Sequence, residues 1–414
     1  MKYFCLSIII IAMKKNEKYN FIILLGKYLH TYGIPSYQIQ SYLSEVAKKL
    51  GVKGTFMDSP TWINYVFYDD DQQAQSYNYI DRIPPGNLNL GAYSRVVETT
   101  NQLIANKINI SDVEDRLASI DRKAQKVNHL FLTVAYALAA ATFNLMIGSN
   151  WTSVFFSALL GAFVYLLVYL STKFEYLHSI LESGASFMVT IIAGLISVVF
   201  PELNVGLSII SAIIIFVPGL SLTIALEEIT SKNLVSGTAK LFDAIISLFK
   251  QFFGVILGLT CLKFVIDFEI INHMSNTPNW VIFMAIPLFS LSLFPILQVR
   301  KKDMLFGMLT GVIGFYITYL FSGAGMLFST FIGTISIVAA GHLFSKMNKT
   351  PRTVFITQGI IMLVPGSKSL FGLSNVFLDT TIVNVGNIGE QVAYIFMGIL
   401  GGLLFGGVFK PGTK

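Results

Sequence analysis

A chain of 414 residues that is 54% hydrophobic and 13% charged, with mean hydropathy +0.65, does not fit a soluble globular protein, whose charged share is about 25%. It reads as a polytopic membrane protein. The formal charge of +6 is no nucleic-acid signature, because the basic residues gather in the N-terminal segment and in alternate loops, as membrane orientation requires.

The opening MKYFCLSIIIIAM has a basic Lys2 and an apolar run, but no small-residue cleavage pattern follows. The next stretch, MKKNEKYN, is itself a plausible protein start. Residues 1–16 are therefore expected to be an N-terminal extension, mis-assigned or disordered, with Met13 as the initiator. Cys5 and Cys261 allow one disulfide at most and read as packing residues.

Residues 17–126 have the composition of a soluble α+β domain, expected in the cytoplasm. Phe21 to His30 is apolar at helical spacing, TYGIP is a turn, and Ile39, Tyr42, Leu43, Val46 and Leu50 share one helix face. GTFMDSPTWINYVFYD and QSYNYIDRI are rich in aromatic and β-branched residues and predict strands. Two helices follow, Tyr93 to Lys107 and Ser111 to Lys126, the second with a Ser111-x-x-Glu114 capping box. No metal-ligand spacing, phosphate loop or nucleophile motif stands in this domain, so no cofactor and no metal are expected.

Beyond it the hydropathy predicts ten membrane segments: 128–148, 151–171, 183–200, 205–219, 241–266, 280–298, 304–322, 325–344, 354–366 and 388–409. An internal repeat organises them. IIIFVPGLSL at 213–222 and IIMLVPGSKS at 360–369 align without a gap, the prolines differing by 365 − 218 = 147. Residues 127–270 and 271–414 thus form two repeats of five helices each. An odd count requires the second to sit upside down, and the fold class expected is an all-α membrane protein of two inverted repeats behind a small α+β domain. Loop charges agree: Lys173, Lys232, Arg300 to Lys302, Lys346, Lys349, Arg352, Lys410 and Lys414 fall on one side with both termini. Glu202, Asp267, Glu269, Lys368 and Asp379 fall on the other.

Each Pro-Gly pair interrupts an apolar helix, because Pro removes a backbone donor and Gly admits backbone angles closed to other residues. Freed peptide groups inside a bilayer are tolerated only where they face protein or a cavity, so paired breaks mark a transporter's substrate site. The candidate binding residues are Pro218, Gly219, Ser221 and Thr223 in one repeat and Pro365, Gly366, Ser367 and Ser369 in the other. The rival reading at each is a structural kink closed by a neighbouring helix.

Charges inside a span cost about 2.5–3.5 kcal/mol each on the insertion scale and so need a reason. Asp243 and Glu390 stand 390 − 243 = 147 apart, the offset of the breaks, and are expected to face each other as carriers of a proton or an amine, with Glu228 a further candidate. The alternative is that each reaches the headgroups and does nothing more. Glu227 and Glu228 are placed on the polar face of a short amphipathic helix that turns at Lys232-Asn233. Lys250 and Lys263 read as snorkelling, with Lys240 and Lys250 held as secondary site candidates. His178 and Glu182 read as loop residues before the third span, Pro287 and Pro295 as kinks, and Asn144 as an interhelical contact.

The stretch PGLSLTIALEEITSKNLVSGTAKLFDA resembles the signature of the threonine/serine exporter family: Glu228, Gly237, Lys240 and Asp243 fall on its acidic, glycine, basic and final acidic positions. Tyr32-Gly33, Pro60-Thr61, Arg82 and Asn89-Leu90 likewise match the order of that family's N-terminal domain, and the LVPGS repeat resembles its smaller half, a separate chain in some relatives. Two departures are Glu227 and Lys232-Asn233. The resemblance implies a multi-pass protein of the inner or plasma membrane that exports threonine or serine by proton-linked alternating access. Its partners would be a small-molecule substrate, protons, lipid and possible further copies of itself. It also leaves a C4-dicarboxylate exporter open, and a channel or scaffold is the alternative of another class. Intramembrane enzyme motifs such as His-Glu-x-x-His are missing, so an enzyme is not expected.

Overall fold

The computed structural model describes residues 2–68, 76–124, 128–266, 277–278, 280–363 and 388–407. Its contacts divide the chain into two compact units, Met1–Val127 with Ile224–Lys240, and Asn128–Thr223 with Leu241–Lys414. The N-terminal unit thus takes in a later segment that the sequence boundaries assign to the first membrane repeat. Lys240 belongs to it, and Asp243 to the membrane unit.

In the first unit α1 (Lys2–Thr31) and α2 (Ser36–Lys49) pack on an antiparallel sheet of β1 (Lys53–Ser59), β2 (Trp62–Tyr68) and β3 (Ser76–Arg82), ordered β1-β2-β3, and α3 (Leu90–Ile104) and α4 (Ile110–Ala124) pack on the helices. Helix α1 runs unbroken from Lys2, so the described helix begins ahead of Met13. It stops at Gly33, whose φ of +73° is open to glycine, and Ile34 N–H reaches back to Leu29 O while Gly33 N–H bonds His30 O. Strand β2 turns Ile63, Tyr65 and Phe67 inward, as a period of two requires. These pack with Phe21, Ile22 and Leu25 of α1 and Ile39, Leu43 and Val46 of α2 in the buried core. Tyr65 lies against Gly26, where a side chain would collide with the ring, and its hydroxyl bonds Ile23 O at 3.1 Å.

Asn89 caps α3 by accepting from Ala92 N–H at 2.8 Å, a bond that stabilises the helix by about 1 kcal/mol. At α4 the capping box is shifted from its expected place: Asp112, not Glu114, reaches back, to Asn109 N–H. The helix begins at Ile110, which makes Asp112 the third helical residue and leaves Glu114 too far along.

The second unit contains α5 (His129–Met146), α6 (Trp151–Ser171), α7 (Glu175–Val199), α8 (Val205–Ile213) with a 3₁₀ turn to Phe216, and the first part of α9 (Gly219–Thr230). It continues with α10 (Leu234–Val265) from Leu241 on, α11 (Trp280–Ile296), α12 (Met304–Leu320), α13 (Met326–Asn348), α14 (Arg352–Leu363) and α15 (Ile388–Gly406). Six described helices are long and apolar enough to cross a membrane. The pair Val205–Phe216 and Gly219–Thr230, bent by 50°, would make a seventh, and Trp280–Ile296, Arg352–Leu363 and Glu390–Gly406 are shorter apolar helices. Pro287 and Pro295 both lie inside α11. Helix α7 starts at Glu175, so His178 and Glu182 are helical and not loop residues.

Small residues let these helices meet closely, which matters in lipid, where apolar burial alone gives no preference for a helix neighbour. Gly254 and Gly258 of α10 seat on Ser186 and Thr190 of α7, leaving room for no Cβ. Gly398 and Gly402 of α15 seat in the same way on Thr330 and Thr334 of α13. Every partner is displaced equally: 398 − 254 = 144, 402 − 258 = 144, 330 − 186 = 144 and 334 − 190 = 144. Gly161 of α6 on Ala140 of α5 has its counterpart in Gly311 of α12 on Ser290 of α11, at 311 − 161 = 150 and 290 − 140 = 150. Glycine contacts of the same kind therefore recur along the chain, at an offset that changes from 150 to 144. By the register of the last crossing, 390 − 144 = 246, so Glu390 matches Ile246. The offset of 147 that joins the Pro-Gly pairs does not carry over to Asp243.

Candidate functional site

The first break forms as its sequence dictates. Val217, the residue before proline, takes extended angles of −63° and 118°, because the α region is sterically closed to it. The 3₁₀ turn Ile214–Phe216 ends there, and α9 starts afresh at Gly219. The freed carbonyl of Phe216 accepts from Gln251 Nε2 of α10 at 2.9 Å. Gly219 N–H bonds Val217 O at 2.8 Å and Thr223 Oγ1 donates to Gly219 O at 3.1 Å, so the buried Thr223 hydroxyl is engaged by its own helix. Gly219 is buried, Pro218 half-buried and Ser221 exposed. Leu220 packs against a cluster of Ile337, Ile360, Leu363, Ile395 and Ile399, while Val217 lies on a cluster of Leu222, Ala244 and Leu248 that Phe396 also joins. The break is thus lined by helices from both the earlier and the later part of the membrane unit. Pro365, Gly366, Ser367 and Ser369 lie outside the described residues.

Beside it, α7 and α10 carry a polar group that periodicity does not reveal. Ser247 Oγ donates to Glu182 Oε1 at 2.8 Å, and Lys250 Nζ stands 3.4 Å from Glu182 Oε2. Gln251 Nε2 lies 3.3 Å from both Ser247 O and Ser247 Oγ. Gln251 is fully buried, and among the described residues its Oε1 has no hydrogen-bond partner. Glu182 Oε2 makes an ion pair with Lys250 but no bond of hydrogen-bond geometry. Lys250 is therefore an ion-pair partner and not merely a snorkelling side chain.

Asp243 and Glu390 are both exposed on their helices. Tyr394 donates to Glu390 Oε1 at 2.7 Å, whereas Asp243 has no hydrogen-bond or ion-pair partner among the described residues. Asn144 is buried and donates to Ser157 Oγ at 3.0 Å and Ser211 Oγ at 3.1 Å, tying α5, α6 and α8 together as its sequence suggested. At the breaks' offset of 147, Ser211 corresponds to Gln358 of α14, fully buried and fitted against Gly307, with Oε1 unpartnered among the described residues.

Glu228 and Lys240 lie in the first unit. Glu228 is fully buried, not on a polar face. Its Oε1 accepts from Ser36 N–H at 2.8 Å, at the start of α2, where the helix dipole favours negative charge, and from Lys240 Nζ at 2.5 Å. Ser36 Oγ donates to Asp58 Oδ2 at 2.6 Å, so Ser236 is the donor in the 2.7 Å contact between the two serine hydroxyls. His30 Nδ1 meets Asp58 Oδ1 at 2.7 Å. Asp58 sits between serine and histidine, so the imidazole does not meet the hydroxyl as it does in a Ser-His-Asp triad, and the group ties the start of α2 to α1 and β1. Tyr37 donates to Glu227 at 2.7 Å, and Gln40 reaches Asn233 at 3.4 Å. Burial pushes the Tyr65 and Tyr32 hydroxyls above the usual tyrosine range, with Asp81 and Asp58 adding to the first and Asp121 to the second. Among the described residues no group of three or more His, Cys, Asp or Glu could hold a metal.

Residues 20–262 match the family profile described as "Putative threonine/serine exporter", and residues 281–409 match "Threonine/Serine exporter, ThrE". The pheromone-regulated membrane protein 10 of Eremothecium gossypii is 24% identical over 360 residues, covering 84% of this chain and 48% of that one. Its namesake in Kluyveromyces lactis is 25% identical over 363 residues, covering 84% and 37%. An uncharacterized protein of Schizosaccharomyces pombe is 23% identical over 380 residues, covering 88% and 45%. The chain spans about half the length of these curated relatives or less. No solved structure matches. With apolar helices fit to cross a membrane, a broken helix, and two profiles of which the first alone covers more than half of the sequence, the chain belongs to the threonine/serine exporter family.

Proposed function

We propose that the protein is a secondary transporter that exports a small polar metabolite, threonine or serine foremost, by proton-coupled alternating access. The observation that carries this reading is the helix break at Val217-Pro218, where the Phe216 carbonyl is held by the buried Gln251 between helices from the earlier and the later part of the membrane unit. Unwound peptide groups at a repeat interface are how such carriers hold polar substrates. The backbone at Pro218 and Gly219, and its counterpart at Pro365 and Gly366 with Ser367 and Ser369, bind the substrate in this reading, while Asp243 and Glu390 carry the proton.

The recurring seams α7 with α10 and α13 with α15 support a duplicated unit, and ten spans in two inverted halves are the arrangement we adopt. The excess of Lys and Arg on one set of loops supports an N-terminal unit and C-terminus on the cytoplasmic side of the cell membrane.

A C4-dicarboxylate exporter keeps the fold and calls for cations at the site. Lys240 is engaged by Glu228 in the first unit and Lys250 by Glu182, which weighs against it. The test is exchange of labelled threonine and labelled succinate by proteoliposomes, with and without a proton gradient. Threonine exchange responsive to the gradient is expected. Succinate exchange alone would select the dicarboxylate reading, and flux without saturation or counterflow would select a channel. Side-specific cysteine labelling tests the topology: sites at 231–233 and 371–373 should react from opposite faces.

A further inference from the structure

We propose that Glu182 and Lys250 are the receptors for the two charged ends of a zwitterionic amino acid, with Gln251 reading the hydroxyl on its side chain. The inference rests on the transport reading above and supplies that site with its chemistry. Glu182 reads as a loop residue in the sequence, and Gln251 is not among the candidates drawn from it.

Three observations lead to it. The pair is loosely made: 3.4 Å exceeds the 2.7–2.9 Å of a charge-assisted hydrogen bond, and Glu182 Oε2 has no partner of hydrogen-bond geometry among the described residues. The side chains are part-exposed, 28% at Glu182 and 47% at Lys250, but Glu182 Oε2 itself is buried, so a ligand reaches that oxygen only once the flexible Lys250 side chain swings aside. The groups beside the pair are fixed: Ser247 orients the carboxylate at 2.8 Å, and Gln251 is clamped through its amide nitrogen to the Phe216 carbonyl, its buried Oε1 unpartnered among the described residues.

An amino acid fits this arrangement in charge and in donor count. Its ammonium takes Glu182 Oε2, its carboxylate takes Lys250 as that flexible side chain swings aside, and a threonine or serine hydroxyl donates to Gln251 Oε1. One internal ion pair is replaced by two intermolecular ones, and the site is neutral before and after, so no net charge is moved into the bilayer. A dicarboxylate finds a single cation there and is repelled by Glu182.

The experiment is counterflow of labelled threonine by the full chain in proteoliposomes, competed with threonine, threonine methyl ester, N-acetylthreonine and valine. Wild-type protein should prefer threonine over the ester and over the N-acetyl compound by at least about tenfold, the loss expected for one charged contact. Valine, which has threonine's shape without the hydroxyl, should also compete more weakly. Glu182→Gln should narrow the gap to N-acetylthreonine and Lys250→Gln the gap to the ester, with Lys250→Arg keeping most of the discrimination. Gln251→Leu should narrow the gap to valine. The wild-type competition profile requires no variant to fold. Equal competition by the ester and the N-acetyl compound would overturn the inference while leaving transport intact, as would variants with wild-type selectivity. Lack of any threonine counterflow by wild-type protein would overturn the transport reading and this inference with it.

Discussion

Replacing Lys240 by Met should loosen the first unit at one definable place. Glu228 has no exposed surface and holds two donors, Ser36 N–H at 2.8 Å and Lys240 Nζ at 2.5 Å. Breaking a fully buried pair by deleting one member costs about 3–5 kcal/mol. Lys240 is 24% exposed, and water can already reach it, so about 2–4 kcal/mol is the reasonable range here. At 1.36 kcal/mol per factor of ten, that is about a 30- to 1,000-fold rise in local opening. Hydrogen exchange of the full-length protein in detergent reads it directly, in peptides covering the start of α2 and residues 224–240, because Ser36 N–H is itself the donor to Glu228. Peptides from α5 should not change. Adding Glu228→Gln to Lys240→Met should restore most of the protection, since a neutral amide oxygen still accepts from Ser36 without a stranded charge. Wild-type exchange in the single variant, or no recovery in the double, would refute the reasoning.

Other expectations follow from the same contacts. Gly258→Ala should lower the thermal midpoint, because the added carbon meets Thr190 Cβ at 2.7 Å and overpacking costs about 1–3 kcal/mol. Gly184→Ala on the neighbouring helix, where nothing lies within 4 Å, should be neutral or stabilising by up to about 1 kcal/mol. Asn144→Leu leaves Ser157 and Ser211 without their shared donor and should destabilise the membrane unit by about 1–2 kcal/mol in a thermal shift assay. The raised Tyr65 and Tyr32 hydroxyls keep their protons in the folded unit after an unfolded tyrosine has ionised near pH 10. Their stabilising contribution is therefore complete below about pH 10 and is lost as pH rises above it, which tyrosinate absorbance in native and denatured protein will show as a displaced titration.

What the sequence disclosed and what it withheld divide along physical lines. Local signals were readable: the Pro-Gly break, the turn with Gly33 that ends α1, and the apolar face of α2 all depend on residues within a few positions of one another. The Ser36–Glu228 bond spans 192 positions, and no periodicity announces it. Glu228 therefore looked like a solvated acid beside Glu227, although it ends fully buried on α2. Glu182 was misplaced because LHSILESGAS is polar enough to pass for a loop, whereas a helix that buries serines against glycines tolerates that composition. The equivalence of Asp243 with Glu390 failed for another reason. A gapless alignment carries one offset, 147, whereas the packed helices use two others, 150 and 144.

The two α-helical seams are alike in outline but not in relief. On one, Leu262 of α10 fills the space over Gly194 of α7; on the other, Val338 of α13 fills the space over Gly406 of α15. These positions are themselves equivalent, since 338 − 194 = 144 and 406 − 262 = 144, so the bulky and the absent side chain have traded places. Were the helices to exchange mates, Gly194 would face Gly406 across a hole and Leu262 would be driven into Val338. A duplicated protein has two nearly identical ways to assemble, and this reversal of knob and socket gives each helix an address that only its own mate can answer.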